Sequence, residues 1–230
     1  MWFFRSNKKR NAEPEGDGPA FWKDYLRLFR TPLPAQTPIH EVPFVVFDTE
    51  TTGVDPAKDR ILSIGAVRVC NWQIDISGSL ECTIARHDSN TSPAVVIHGI
   101  LPKERPNDLE EREALEKFVR MIGNSILVGH HVGFDIAVIN QALKPLTGSG
   151  LKNKRVDTGA LSKRVNPVSG PVYPAGPLSL DDLCKQYRIR PSDRHTAAGD
   201  AFITATLLLK LLSRLRNRGV QHLGDLLRSR

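Results

Sequence analysis

The chain has 230 residues, 40% hydrophobic and 25% charged, with a formal net charge of +7. That length and balance fit one globular domain plus extensions, and no apolar run reaches the roughly 18 residues that a membrane span needs. The three cysteines, Cys70, Cys82 and Cys184, form no CxxC pair, which argues against a disulfide framework or a structural zinc site.

The charge is unevenly placed. Residues 1–40 carry +3 and residues 214–230 carry +4, while 41–213 is neutral. A neutral core with basic flanks suits a polyanionic partner, because Lys and Arg release counterions from phosphates; it equally suits plain solubilising tails. The opening MWFFRSNKKR turns basic with no apolar stretch behind it, so a signal peptide is not expected. A reducing, cytoplasmic setting without a membrane partner is the expectation.

In chain order, residues 8–20 are polar and carry Pro and Gly, and read as a linker. Near 20–30, Phe21, Trp22, Tyr25, Leu26 and Phe29 recur at helical spacing and predict an amphipathic helix. Its stripe suits packing on the domain surface; docking to a partner or a membrane surface is the alternative. TPLPAQTP then breaks the chain. The expected division is a basic N-terminal extension over 1–40, a main domain over 41–213 and a basic tail over 214–230.

VPFVVFD is a nearly all-apolar run with β-branched residues, as in a strand buried on both faces. ILSIGAVRVCNW and QIDISGSLECTIA read as two more strands in a meander with it. Helical patterns follow at about 108–122, 133–145, 157–164, 179–187 and 197–215, with short strands at 125–128 and 154–156. Strands first, then strands alternating with helices, predict an α/β domain: a mixed sheet flanked by helices. NPVSGPVYPAGP (166–177) reads as a long loop.

Five residues could carry chemistry. Asp48 and Glu50 stand two apart at the end of the first strand, so period 2 sends both to one face. At about 4 Å and an effective dielectric near 20, two such charges repel by roughly 4 kcal/mol. A shared proton, a basic neighbour or a cation must relieve that. Asp135 opens a helix after ILVG, where a carboxylate also serves as a plain partner for the helix dipole. His195 and Asp200 are five apart, about 140° around a single helix. His195 is therefore expected to precede the helix, with Thr196 near its cap and Asp200 in its first turns. Asp157 in RVDT reads as a helix N-terminal contact rather than a site residue.

FDTETTGVDPAKDRILSIGAVRV, VIHGI (96–100), LVGHHVGFDIAVIN and HTAAGDAFITATLLL occur in one order. Together they resemble the motifs of the DnaQ-like DEDDh 3′-5′ exonucleases, the family that includes the proofreading epsilon subunit of bacterial replicative polymerase. The resemblance runs from about residue 43 to 212. It implies a ribonuclease H-like mixed sheet whose first three strands are antiparallel.

It also implies a metal-dependent phosphodiester hydrolase with two divalent ions, Mg²⁺ or Mn²⁺, which suit oxygen ligands. Asp48, Glu50 and Asp200 would hold the first ion. Asp48 would bridge to the second, with Asp135 supporting it. His195 would be the general base, and Thr51, His98 and Ile100 would contact the terminal nucleotide. Thr196 stands where the family's tyrosine branch carries its Tyr, so the histidine branch fits. His131 replaces the Asn of the usual HNxxFD motif.

The implied activity is stepwise release of nucleoside 5′-monophosphates from single-stranded or frayed 3′ ends of DNA, for proofreading or repair. An RNA-trimming exonuclease and a polymerase-associated nucleic-acid-binding subunit stay open as alternatives. Single-stranded 3′ ends are the expected partner, and a DNA polymerase subunit is a further one. The short basic segment after the last helix, together with the added N-terminal helix, favours a stand-alone or repair-type enzyme.

Overall fold

Strand β1 (Phe44–Thr51) is the axis of the fold, because its side chains feed two cores at once. Phe44 and Val46 point into one, Val45 and Phe47 into the other. The computed structural model of the chain describes residues 18–85, 107–166 and 178–228. Around β1 lie β2 (Ile61–Cys70), β3 (Gln73–Thr83), β4 (Ile126–Gly129) and β5 (Arg155–Asp157). They form a five-stranded sheet in the order β3-β2-β1-β4-β5. The pairs β1–β2 and β2–β3 are antiparallel, and β1–β4 and β4–β5 are parallel. This is the expected mixed sheet with an antiparallel first half.

Helices cover both faces. In chain order they are α1 (Ala20–Leu28), α2 (Glu111–Ile122), α3 (Gly133–Thr147), α4 (Thr158–Val165), α5 (Leu180–Tyr187), α6 (Ala197–Arg216) and α7 (Leu223–Leu227). Buried residues of α1, α2 and α3 share a core with Val45 and Phe47. Those of α4 to α7 share the other core with Phe44 and Val46. A strand sandwiched this way must be apolar on both sides, which is why VPFVVF shows no alternation.

The α1 stripe is spent within the fold. Phe21, Trp22 and Tyr25 are buried, and the Trp22 and Tyr25 rings stack at 4.7 Å. The Tyr25 hydroxyl donates to Asn153 at 2.6 Å and accepts from the Lys152 amide at 2.7 Å. Burial pushes its pKa up to about 12. The partner- or membrane-docking alternative for this stripe therefore loses its apolar face. No described helix is long and apolar enough to cross a membrane.

The basic stretch from 214 is also packed. Leu215, Val220, Leu223 and Leu226 are buried, and the backbone is laced to the segment after α1: Ile39 N to Gln221 O at 2.8 Å, and Leu223 N to Thr37 O at 2.9 Å. Arg214 lies over the Tyr187 ring at 4.4 Å. A solvated tail would show no such burial. Residues 1–17, VIHGI and nearly all of NPVSGPVYPAGP lie outside the described residues.

Candidate active site

The site grows from the C-terminal end of β1. Strand alternation sets Asp48 and Glu50 on the face of Phe44 and Val46, toward α6, and Thr49 on the opposite face. Across the antiparallel pair, Asp48 stands opposite Gly65 and Glu50 opposite Ser63. Gly65 decides the geometry. A Cβ there would fall 2.2 Å from the backbone carbon of Ala197 and the nitrogen of Ala198. The first turn of α6 thus rests directly on β2, and Asp200 in that turn reaches the strand acids. Ligand oxygens of Asp48, Glu50 and Asp200 lie within 4.8 Å of one another.

Asp135 comes from the other side of the sheet, in the first turn of α3. It is held from β1 itself: Oδ1 accepts from the Thr49 hydroxyl at 2.6 Å and the Thr49 amide at 3.1 Å. The approach to α3 is fixed by Asp157, whose Oδ2 accepts from the Val132 amide at 3.0 Å and whose Oδ1 caps α4 through the Ala160 amide. The structural reading of Asp157 matches these bonds.

The carboxyls resist ionising together. Burial, and then the charges of Asp135, Asp200 and Glu50, raise the Asp48 pKa well above the ordinary carboxylate range. Burial, and then Asp200 and Asp135, push Glu50 up to about 7. Burial pushes Asp135 up to about 6, against the opposing pull of the Thr49 bonds. Asp200 Oδ1 is buried and has no hydrogen-bond partner among the described residues. An orphaned buried oxygen is costly. Crowded acids and an orphaned oxygen are what a divalent cation would relieve, and an all-oxygen donor set fits Mg²⁺ or Mn²⁺.

His195 lies one residue before the N-cap of α6, exposed, with φ +63°. Thr196 is the cap: its hydroxyl accepts from the Gly199 amide at 3.0 Å and donates to Asp193 O at 2.7 Å. This turn folds back so tightly that a Cβ at position 199 would sit 2.0 Å from the Asp193 oxygen. His195 therefore stands off the helix that carries Asp200.

Thr51 is buried at the end of β1, and its hydroxyl donates to Gly53 O at 2.6 Å. His98 and Ile100 lie outside the described residues. His130 is half-buried, with Nδ1 at 3.0 Å from the Thr158 hydroxyl and Nε2 at 3.0 Å from Leu178 O. His131 is exposed at φ +59°, a left-handed position that Asn and His tolerate better than most residues. The Asn-to-His departure thus keeps the backbone requirement.

Three contributors have no motif signal of their own. Thr49 sits inside DTE but faces away from it. Gly65 sits mid-strand, where a sequence pattern marks only a weak strand former. Arg194 bridges Asp181, through Nε at 2.7 Å, and Asp200, through Nη1. It is the residue before His195, and only the fold shows that it turns onto two acids.

A family model described as an exonuclease matches residues 45–208. Over 198 residues the chain is 33% identical to a DNA polymerase III subunit epsilon-like protein of Rhodobacter capsulatus, covering 84% of this chain and 27% of that protein. Over 183 residues it is 30% identical to the DNA polymerase III PolC-type of Thermotoga petrophila, covering 80% of this chain and 13% of that one. The chain thus spans less than a third of either relative. The crystal structure of E. coli exonuclease I in complex with a dA16 oligonucleotide matches with a TM-score of 0.64 and 21% identity, covering 77% of this chain and 42% of that one. That likeness is one of fold.

Proposed function

The chain belongs to the exonuclease family, as a domain of the DEDD 3′-5′ type, and on that premise we propose that it removes nucleotides as 5′-monophosphates from single-stranded or frayed 3′ ends of DNA with two divalent ions. The observation that carries this reading is the cluster of Asp48, Glu50 and Asp200, with Asp135 held on the same strand; burial holds Asp48, Glu50 and Asp135 above their ordinary pKa values, and neighbouring acids add to the shift of Asp48 and Glu50.

Asp48, Glu50 and Asp200 would hold one ion; Asp48 would bridge to the second, with Asp135 supporting it. When bound, such ions neutralise the phosphate and lower the pKa of an attacking water. The remaining work falls to the chain. Thr49 fixes the carboxylate of Asp135, and Gly65 seats Asp200. His195, exposed on its turn, would take the proton of the water through an imidazole nitrogen, the part of a general base. Thr51, with His98 and Ile100, would position the terminal nucleotide.

DNA is favoured over RNA because the relatives are named for DNA polymerase III and exonuclease I is described with a DNA oligonucleotide. The same names support a DNA polymerase catalytic subunit as a partner, which a pull-down with that subunit tests. The function is tested by degradation of labelled single-stranded DNA, mismatched-primer DNA and RNA, each with Mg²⁺ and with EDTA. Release of mononucleotides from DNA only with Mg²⁺ is expected. Equal release in EDTA would sink the metal reading, and faster release from RNA would replace the substrate.

A further inference from the structure

Arg194 has a side chain 19% exposed, between two acids of different elements. Its Nε donates to Asp181 Oδ1 at 2.7 Å, in the first turn of α5, and its Nη1 donates to Asp200 Oδ2, in the first turn of α6. The Asp181 side chain is 48% exposed, while that of Asp200 is 10% exposed. Partial burial works against the guanidinium charge, but the two pairs outweigh it, so Arg194 stays charged. That charge also reaches Asp48 and Glu50, where it favours the ionised forms as a bound cation would, so Arg194 and a divalent ion compete for the same negative field.

Asp200 is therefore divided. One oxygen is committed to Arg194, and the other is buried without a hydrogen-bond partner among the described residues. A fixed cation on one oxygen withdraws charge from the other and repels a second cation nearby. Asp181 works the opposite way, since it draws the guanidinium charge off Asp200.

We propose that Arg194 sets the divalent-ion affinity of this site, weakening it through Asp200, and that Asp181 limits the weakening. Arg194 is then a positioning residue that acts through Asp200. The inference rests on reading the acidic cluster as a divalent-ion site. It makes the site looser than its four carboxylates alone would dictate. It also makes α5, which carries no ligand, part of the machinery that tunes it.

The two acid–guanidinium contacts give the test a sign. Titration calorimetry of the full chain with MnCl₂, without nucleic acid, measures affinity apart from turnover. Arg194→Gln should tighten Mn²⁺ binding by about five- to tenfold, and Asp181→Asn should weaken it by about two- to fivefold. The double variant should follow Arg194→Gln, because Asp181 has no effect without its partner. If Arg194 and Asp181 only brace the turn before α6, both single variants loosen it and shift affinity in the same direction. That result, or unchanged affinity in Arg194→Gln, overturns the proposal.

Should Arg194→Gln fail to fold, ¹⁵N-arginine-labelled wild type gives a second reading. The Nε–Hε signal of Arg194 should shift on Mg²⁺ saturation, and an unmoved signal overturns the proposal. Wild type that binds no Mn²⁺ at all instead removes the metal reading itself, so the two failures are distinguishable.

Discussion

Thr49 and Asp135 lock together across the central strand, with the Thr49 hydroxyl 2.6 Å and its amide 3.1 Å from the same oxygen, Oδ1, of Asp135. The strand that presents Asp48 and Glu50 on one face thus clamps a further acid from its other face. A single strand sets the spacing of three of the four carboxylates. Thr49→Val keeps the shape but leaves the carboxylate without its hydroxyl donor. The loss of that buried bond should cost about 1–3 kcal/mol, measured by denaturant unfolding. On the proposed reading, in which Asp135 supports a metal ion, exonuclease rate should fall about tenfold or more, because such a carboxylate acts only when oriented. Unchanged activity would show that Asp135 needs no orienting.

Asp48→Asn should abolish activity yet stabilise the fold in EDTA. The Asp48 pKa is raised in the folded chain by burial and by its acidic neighbours, so its ionised form is disfavoured there. Removing that charge relieves the repulsion, and a gain on the order of 1 kcal/mol corresponds to about 2–4 °C in Tm for a chain of this size. Calorimetry in EDTA, beside a nuclease assay in Mg²⁺, reads both effects. A drop in Tm would mean that the carboxylate makes a structural bond that outweighs the repulsion.

Stability without metal should fall as pH rises. Glu50 titrates at about 7 when folded, against a reference of 4.5, and Asp135 at about 6, against 3.8. Between those values the folded chain binds more protons than the unfolded chain, so unfolding free energy decreases with pH. From Glu50 and Asp135 the decline spans about pH 4 to 7, and the raised Asp48 adds to it in the same direction. Mn²⁺ should raise Tm more at about pH 8 than at about pH 5, because binding requires deprotonated carboxylates. A Tm in EDTA that rises over the same window would contradict the raised values.

Gly65→Ala should damage the site without touching an acid. Its Cβ would meet the backbone of Ala197 and Ala198 at 2.2 Å, and backbone cannot swing aside as a side chain does. Overpacking of this kind costs about 1–3 kcal/mol. It should also lift Asp200 away from Asp48 and weaken Mn²⁺ binding. Full affinity with normal stability would show that α6 can withdraw at no cost.

Much of the fold was legible because its signals are local. The unbroken apolar run of β1 announces burial on both faces, and the 3.6-residue stripes mark α3 and α6 within a residue or two and α2 within three. Pairing of Asp48 with Glu50 follows from period 2 alone. The place of His195 before α6 follows from its distance to Asp200. The packed role of residues 214–228 was not legible as a whole: their charge suggests a tail, while Leu215, Val220, Leu223 and Leu226, spaced over two helices and a turn, declare a core only against Ile39 and α4.

The sequence by itself determined which residues could bind a cation and on which faces of their elements they stand, since backbone geometry fixes side-chain direction within a strand or helix. Only the tertiary structure decided that these faces converge. Asp200 meets Asp48 because Gly65 lets a helix touch a strand more than a hundred residues away, and Arg194 enters the site because two helix N-termini bring Asp181 and Asp200 within reach of one guanidinium. Such contacts depend on close approach of backbones distant in sequence, and no local pattern of residues encodes that distance.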